Sequence, residues 1–430
     1  SDRQHSKYLA ITGHCMDEDF KPFAFLMDIQ VLPLASDHAS MLEAVKKTTN
    51  AWKQALGLES SHKELIYSMT TDNEAATVLA AQSLMGADAE EDRCFAHTVQ
   101  LCIAAAEKRC EEFKELVQRI NELSSQLLHS KCRDSLSIAR TGSAGPSTAA
   151  RPSPTRWSSQ FYTLQRFQEL QQSIEEVRGV ALGEEFGLSK EEMELLEDSI
   201  SLLSPFELVT RLSEGDAYAT IAFVPSWIHK LQGVADLAVR GAAADLQREL
   251  CDQVEKRMAR FLEVKIDDKG QPQAAVALCA AAVHPLHFEL PTISDADRDI
   301  VYKCVEVHAE DFLDSIELLE PSPAQFGSLR RRMKLFVEAG GTLASQFWNQ
   351  PKVRAHPVRP LAKLWLAIPA TSATSERVFS CAGFVDKVAR HRTAPVNLIA
   401  KTMIRFNAPR VTADQQELAA MVTKRMLRYD

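Results

Sequence analysis

Strand-like and helical periods alternate up to about Gly86 and the helical period dominates beyond it, and that division constrains the fold more than any single residue does. Three β-rich runs lie ahead of it. Lys7-Tyr-Leu-Ala-Ile-Thr-Gly-His14 and Phe23-Ala-Phe-Leu-Met-Asp-Ile-Gln-Val-Leu32 are short apolar stretches, with polar breakers between them from Asp17 to Pro22. They read as an antiparallel pair. A helical segment carrying Ala39, Leu42, Val45 and Trp52 follows. Glu64-Leu-Ile-Tyr-Ser-Met-Thr-Thr-Asp72 then reads as a third strand ending on an acid, and the Ala/Leu-rich run from Asn73 to Gly86 as a helix. Strand, strand, helix, strand, helix is an α/β order. Beyond Gly86 the helical period dominates: Phe95 to Leu128, then helices with polar breaks to about Glu320. A basic helical stretch from about Phe336 to Tyr429 is broken at Pro351, Pro357, Pro360 and Pro369. Ser143–Pro154, rich in Pro, Ser, Ala and Gly, reads as a flexible linker. The expected division is an α/β part over 1–110, a helical part over 111–335 with its linker at 143–154, and a C-terminal segment over 336–430.

At 430 residues, with 45% hydrophobic and 25% charged content, the chain has the composition of a globular protein with more than one substructure. No apolar run reaches bilayer length, and no basic-then-apolar leader is visible, so no membrane partner is expected. The nine cysteines are scattered without a C-x-x-C pair, which points to free thiols rather than a disulfide framework or a zinc ribbon. The net charge of −9 conceals an uneven distribution. From Pro321 to Asp430 there are 18 Lys+Arg against 6 Asp+Glu, a net of +12, so the first 320 residues carry −9 − 12 = −21. A basic segment beside an acidic body suits a polyanion partner, although such a stretch can also simply solvate its own face.

Five motifs stand in a fixed order: Tyr8-Leu-Ala-Ile-Thr-Gly-His14, Thr71-Asp72-Asn73, Cys94-Phe-Ala-His97-Thr-Val-Gln-Leu101, Pro154-Thr-Arg-Trp157-Ser158, and Ile368-Pro-Ala-Thr-Ser-Ala-Thr-Ser-Glu376-Arg-Val-Phe-Ser-Cys-Ala-Gly383. In that order they resemble the hAT superfamily of DNA transposases, within it the group with an N-terminal BED-type zinc finger. Leu203-Ser-Pro-Phe206 through Tyr218 to Pro225 is similar to that family's insertion region. The resemblance covers nearly the whole chain. It implies α/β plus mainly α architecture: an RNase H-like sheet lacking its first strand here, interrupted by a large helical insertion and completed by a C-terminal helical dimerisation segment that returns the last catalytic helix.

The resemblance also implies chemistry. Two divalent ions about 3.5–4 Å apart stabilise the attacking and leaving oxygens of phosphodiester transfer, and carboxylates suit Mg²⁺ or Mn²⁺. The second catalytic and metal-binding acid maps to Asp72 and the third to Glu376. The first belongs to an Asp-x-Trp-Ser/Thr pattern whose last residue is Ser1, so it is expected upstream, with any zinc confined to a finger further upstream. The bland alternatives are an N-cap aspartate and a helix-dipole acid. This chain alone is expected to bind metal poorly.

Further candidates concern DNA. Cys94 and His97, three apart, are implied to order the site around it, or else are a buried thiol and a satisfied imidazole. Trp157, after Arg156, occupies the position implied to stack on a flipped base; the alternative is a core Trp. Lys131 to Arg166 holds six basic residues against Asp134. Arg330, Arg331 and Arg332 with Lys334 form a candidate phosphate patch or nuclear localisation element, and Lys387, Arg390 and Arg392 follow the glutamate helix. Two departures suggest a derived copy: Val283-His-Pro-Leu286 where relatives read Leu-Asp-Pro-Arg, and Arg392-Thr-Ala-Pro395 where an apolar residue is usual. The expected functions are therefore a dimerising nuclear transposase, a domesticated BED-finger regulator without nuclease activity, or a dimerisation scaffold.

Overall fold

The computed structural model describes residues 7–33, 37–57, 66–85, 91–129, 148–150, 157–177, 186–315, 324–388 and 394–408. The described residues are mostly helical with few short strands. By contacts the chain divides into two compact units. The first comprises Ser1–His97, Leu212–Ser226 and Arg260–Asp430; the second comprises Thr98–Arg211 and Trp227–Ala259.

In the first unit, β1 (Lys7–Met16) and β2 (Pro22–Leu32) form the expected antiparallel hairpin. Its turn is held by Asp17, whose Oδ1 accepts the Asp19 and Lys21 N–H groups. A register shift opposite Ile11/Thr12 inserts one extra residue into β2. Side chains alternate along a strand, so the extra residue reverses the parity beyond it. Leu26 and Ile29, three apart, consequently share one face, where they pack with Val378, Met403 and Phe406. The opposite face gives Leu32 and Leu9 to a cluster with Met41, Ala44 and Ala80. The hairpin is thus covered on one side by α1 (His38–Leu56) and α2 (Ala75–Met85). The helices later named α14 (Ala373–Val388) and α15 (Pro395–Asn407) cover the other. Asn407, at the end of α15, caps the outer edge of β2: its Oδ1 accepts the Leu26 N–H at 2.8 Å and its Nδ2 donates to Leu26 O at 3.0 Å.

The third strand is shorter than the sequence suggested. β3 covers Met69–Thr71 and pairs in parallel with β4 (Glu91–Arg93), leaving Asp72 just beyond its end. Among the described residues the other elements of this unit are helical apart from the small hairpin of β5 (Val264–Ile266) and β6 (Pro272–Ala274). Trp348 anchors it, donating from Nε1 to Val283 O and stacking on Phe20 at 5.6 Å.

The second unit contains no strand among its described residues. It is built from most of α3 (Phe95–Arg109), then α4 (Glu111–Leu127), α5 (Trp157–Val177), α6 (Lys190–Ser213), part of α7 (Val224–Gln232) and α8 (Ala243–Met258). α4 shows why: Phe113, Leu116, Val117, Ile120, Leu123 and Leu127 recur every three or four residues and are buried, while its charged residues face outward. α6 starts on a capping box. The Ser189 hydroxyl accepts the Glu192 N–H, and the Glu192 carboxylate accepts the Ser189 N–H. The linker expected at 143–154 lies outside the described residues except for 148–150.

Candidate functional site

A cavity of about 1050 Å³ in the first unit brings together three of the sequence-derived candidates. All ten residues of β1 line it, together with β3, parts of α1, the helix α13 (Arg359–Ala367) and the start of α14. Asp72, His97 and Glu376 all contribute to its wall.

A knot of hydrogen bonds links the segments that carry these residues. Cys94 N–H donates to Thr71 O at 2.7 Å, joining the end of β3 to the start of α3. Phe95 N–H donates to Ala370 O at 2.8 Å, and the Thr70 hydroxyl to Pro369 O at 3.0 Å. Ser372 N–H points at Cys94 Sγ, 3.4 Å away, and so does the His97 N–H at the same distance. Cys94 is therefore a capping thiol: its sulfur serves the first turn of α3 and the loop before α14 together. Its burial pushes the thiol pKa up, keeping it a neutral acceptor. From the other side, Ala370 N–H donates to Thr220 Oγ1 and the Thr371 hydroxyl to Ser213 O. The motif Ile368–Glu376 is thus fastened by residues from three distant stretches of chain.

Asp72 is not an N-cap. α2 begins at Ala75, and Asp72 Oδ1 instead accepts the Glu74 N–H at 3.3 Å, closing a local turn that leaves the half-buried carboxylate on the cavity wall. Glu376 lies in the first turn of α14 and is exposed. Its neighbour Arg377 points elsewhere, to Glu214 O and, at 3.3 Å, to Asp216 Oδ2. Sequence reasoning quoted His14 within a motif but gave it no role. It lines the cavity, its Nε2 3.1 Å from Thr12 Oγ1. Burial, with help from the Arg377 charge, lowers its pKa to about 4, so it is neutral at ordinary pH.

The other candidates are not gathered here. Trp157 is the first residue of α5 in the second unit, half-buried with its ring 6.2 Å from Phe161. Arg156, Arg390 and Arg392 lie outside the described residues; Lys387 lies in α14. The triple-arginine run belongs to α11 (Ala324–Glu338), in order after α9 (Val276–Ala282) and α10 (Asp295–Ser315). Its members differ: Arg330 stacks on the Tyr302 ring at 3.7 Å and Arg332 donates to Lys352 O, while Arg331 and Lys334 are exposed. No helix among the described residues is long and apolar enough to cross a membrane. Compared with known proteins, the sequence matches no family model and no curated protein.

Proposed function

We propose that this chain is the body of a hAT-type DNA transposase, or of a DNA-binding protein derived from one, with Asp72 and Glu376 as two acids of an RNase H-like unit. The shared cavity carries this reading: an acid at the end of a strand and an acid opening a helix near the far end of the chain both line it. A second feature supports it. β1 and β3 both border the cavity yet share no ladder among the described residues. An RNase H-like sheet has one more strand, bearing the first acid, and this reading seats it there.

The donor chemistry fits Mg²⁺ or Mn²⁺, since carboxylates are hard oxygen ligands. The donor number does not. Among the described residues no three His, Cys, Asp or Glu side chains are grouped to hold a metal. What the chain's own residues contribute is position: the Cys94 knot fixes the segments bearing both acids.

DNA is the proposed partner, met by Trp157 and by the basic segment after Glu320, and a nuclear site of action follows. Self-association is proposed through α14 and α15. Within this segment and α13, Leu361, Trp365, Val378 and Met403 are buried within the unit, while Phe379, Phe384, Val396 and Ile404 are exposed. One observation favours the derived, non-cleaving alternative. His284, where relatives carry an aspartate, is buried against Phe223 and held neutral, its pKa lowered to about 3.

The test is plasmid cleavage by the purified protein with Mg²⁺ or Mn²⁺. Asp72→Ala and Glu376→Ala should each abolish any cleavage seen. Cleavage that survives both substitutions rejects the assignment of acids; DNA binding without cleavage selects the regulator.

A further inference from the structure

α9 and α10 pack together in the first unit and bring two cysteines face to face. Cys279 is in the middle of α9, 3% exposed, and Cys304 is in α10, 0% exposed. Their sulfurs are 4.0 Å apart. A third group completes the arrangement. His308, one turn beyond Cys304 on α10, has its Nδ1 2.8 Å from Cys304 O and 3.5 Å from Cys304 Sγ. A ring nitrogen that close to a carbonyl oxygen carries the proton, so the same N–H is presented to the sulfur. The Cys279 thiol also faces Ala274 O at 3.8 Å.

We propose that Cys279 and Cys304 form an oxidisable dithiol, closed to a disulfide by a hydroperoxide with Cys304 as the attacking sulfur and His308 as its donor. In the first step the Cys304 thiolate attacks one oxygen of hydrogen peroxide: an S–O bond forms, the O–O bond breaks and hydroxide leaves. In the second the Cys279 sulfur attacks the resulting sulfenic acid: the S–S bond forms, the S–O bond breaks and the oxygen leaves as water with the Cys279 proton. Two sulfurs lose two electrons and the peroxide gains them.

Three observations carry the roles. The sulfurs stand 4.0 Å apart, so closing to the roughly 2.05 Å of a disulfide brings them about 2 Å nearer. Two groups converge on the Cys304 sulfur, Cys279 Sγ at 4.0 Å and His308 Nδ1 at 3.5 Å, and the Cys279 contact first, with that of His308, outweighs burial and lowers the Cys304 thiol pKa. In contrast, burial pushes up the thiols of Cys15, Cys94, Cys102, Cys110 and Cys251. The position also matters for the candidate site, because α13 packs on both α9 and α10 and lines the large cavity. The cross-link would lie one helix behind that wall.

The experiment treats the folded 430-residue chain with hydrogen peroxide, quenches it in denaturant with an alkylating agent, and maps thiols by peptide mass spectrometry. The expected product is a Cys279–Cys304 linkage. Cys279→Ser should stop Cys304 one oxygen heavier without a cross-link, Cys304→Ser should leave Cys279 unoxidised, and His308→Gln should slow closure several-fold. Recovery of both cysteines reduced, at a dose that oxidises the half-exposed Cys15 or Cys381, overturns the proposal. A wild-type rate in His308→Gln overturns the role of His308. Mapping the wild-type chain decides the pairing even where a variant fails to fold.

Discussion

Each of the two units is held together internally by its own kind of contact. In the second, much of what fixes the helices is local: the Ser189–Glu192 capping box, the three-to-four spacing of the α4 core, and pairs such as Lys256 with Asp252 one turn apart. Arg240, clamped on Asp198, is its conspicuous longer-range bond. In the first unit the decisive contacts join segments from opposite ends of the chain, as Asn407 does with Leu26 and Pro369 with Thr70. A helix with its own cap and stripe can be read from a short window of sequence. A cleft whose walls come from both termini cannot.

The largest effect that could break this contrast concerns Leu26, fully buried between β2 and the C-terminal helices. Leu26→Ala should cost about 2–5 kcal/mol in denaturant unfolding. A cost under 1 kcal/mol would mean that the C-terminal helices do not depend on the hairpin. A sharper comparison sets a distant contact against a local one. Asn407→Ala strips partners from the Leu26 backbone and should cost about 1–3 kcal/mol, whereas Ser189→Ala should cost about 1 kcal/mol. Hydrogen exchange should show the first loss in the hairpin and the second in α6. The reverse pattern would refute the assignment.

Acid should weaken the first unit. His14 and His287 have their pKa lowered to about 4 and His284 to about 3, chiefly by burial, against 6.5 for an ordinary imidazole. Between those values the unfolded chain binds protons that the folded chain refuses, so stability is full above about pH 6.5 and falls as pH drops toward 4 and 3. His14→Asn should flatten this slope. An unchanged slope from a folded variant would show that His14 is protonated in place.

Trp157 tests whether the second unit touches DNA. If its half-exposed ring stacks on a base, Trp157→Ala should weaken binding to a gapped duplex by about 1–3 kcal/mol with little change in melting temperature. A large melting loss with unchanged affinity would assign it to the core. The smallest expected effect lies in α11. Each phosphate contacted adds about −0.9 to the slope of log affinity against log salt, so Arg331→Gln with Lys334→Gln should flatten it by about 2 at most. Arg330→Gln should flatten it less, because that guanidinium is already stacked on Tyr302. Equal slopes throughout would return the run to solvent.

By itself the sequence determined what is periodic or chemically local. The β1–β2 pair, the strand ending beside Asp72 and the helices beyond Gly86 follow from alternation, helical spacing and breakers, while the helix placed at Glu376 was implied by the resemblance of its motif. It also marked Cys94 and His97 as a pair, without showing that the thiol caps a helix while holding a loop from the far end of the chain. Only the tertiary structure decided that Asp72 and Glu376 line the same cavity, that one extra residue in β2 turns Leu26 and Ile29 to the same side, and that Arg330 sits over the Tyr302 ring. The reason is one of range. Periodicity records which face a residue presents, but a hydrogen bond from Thr70 to Pro369 depends on how the intervening chain closes, and no local pattern encodes that closure.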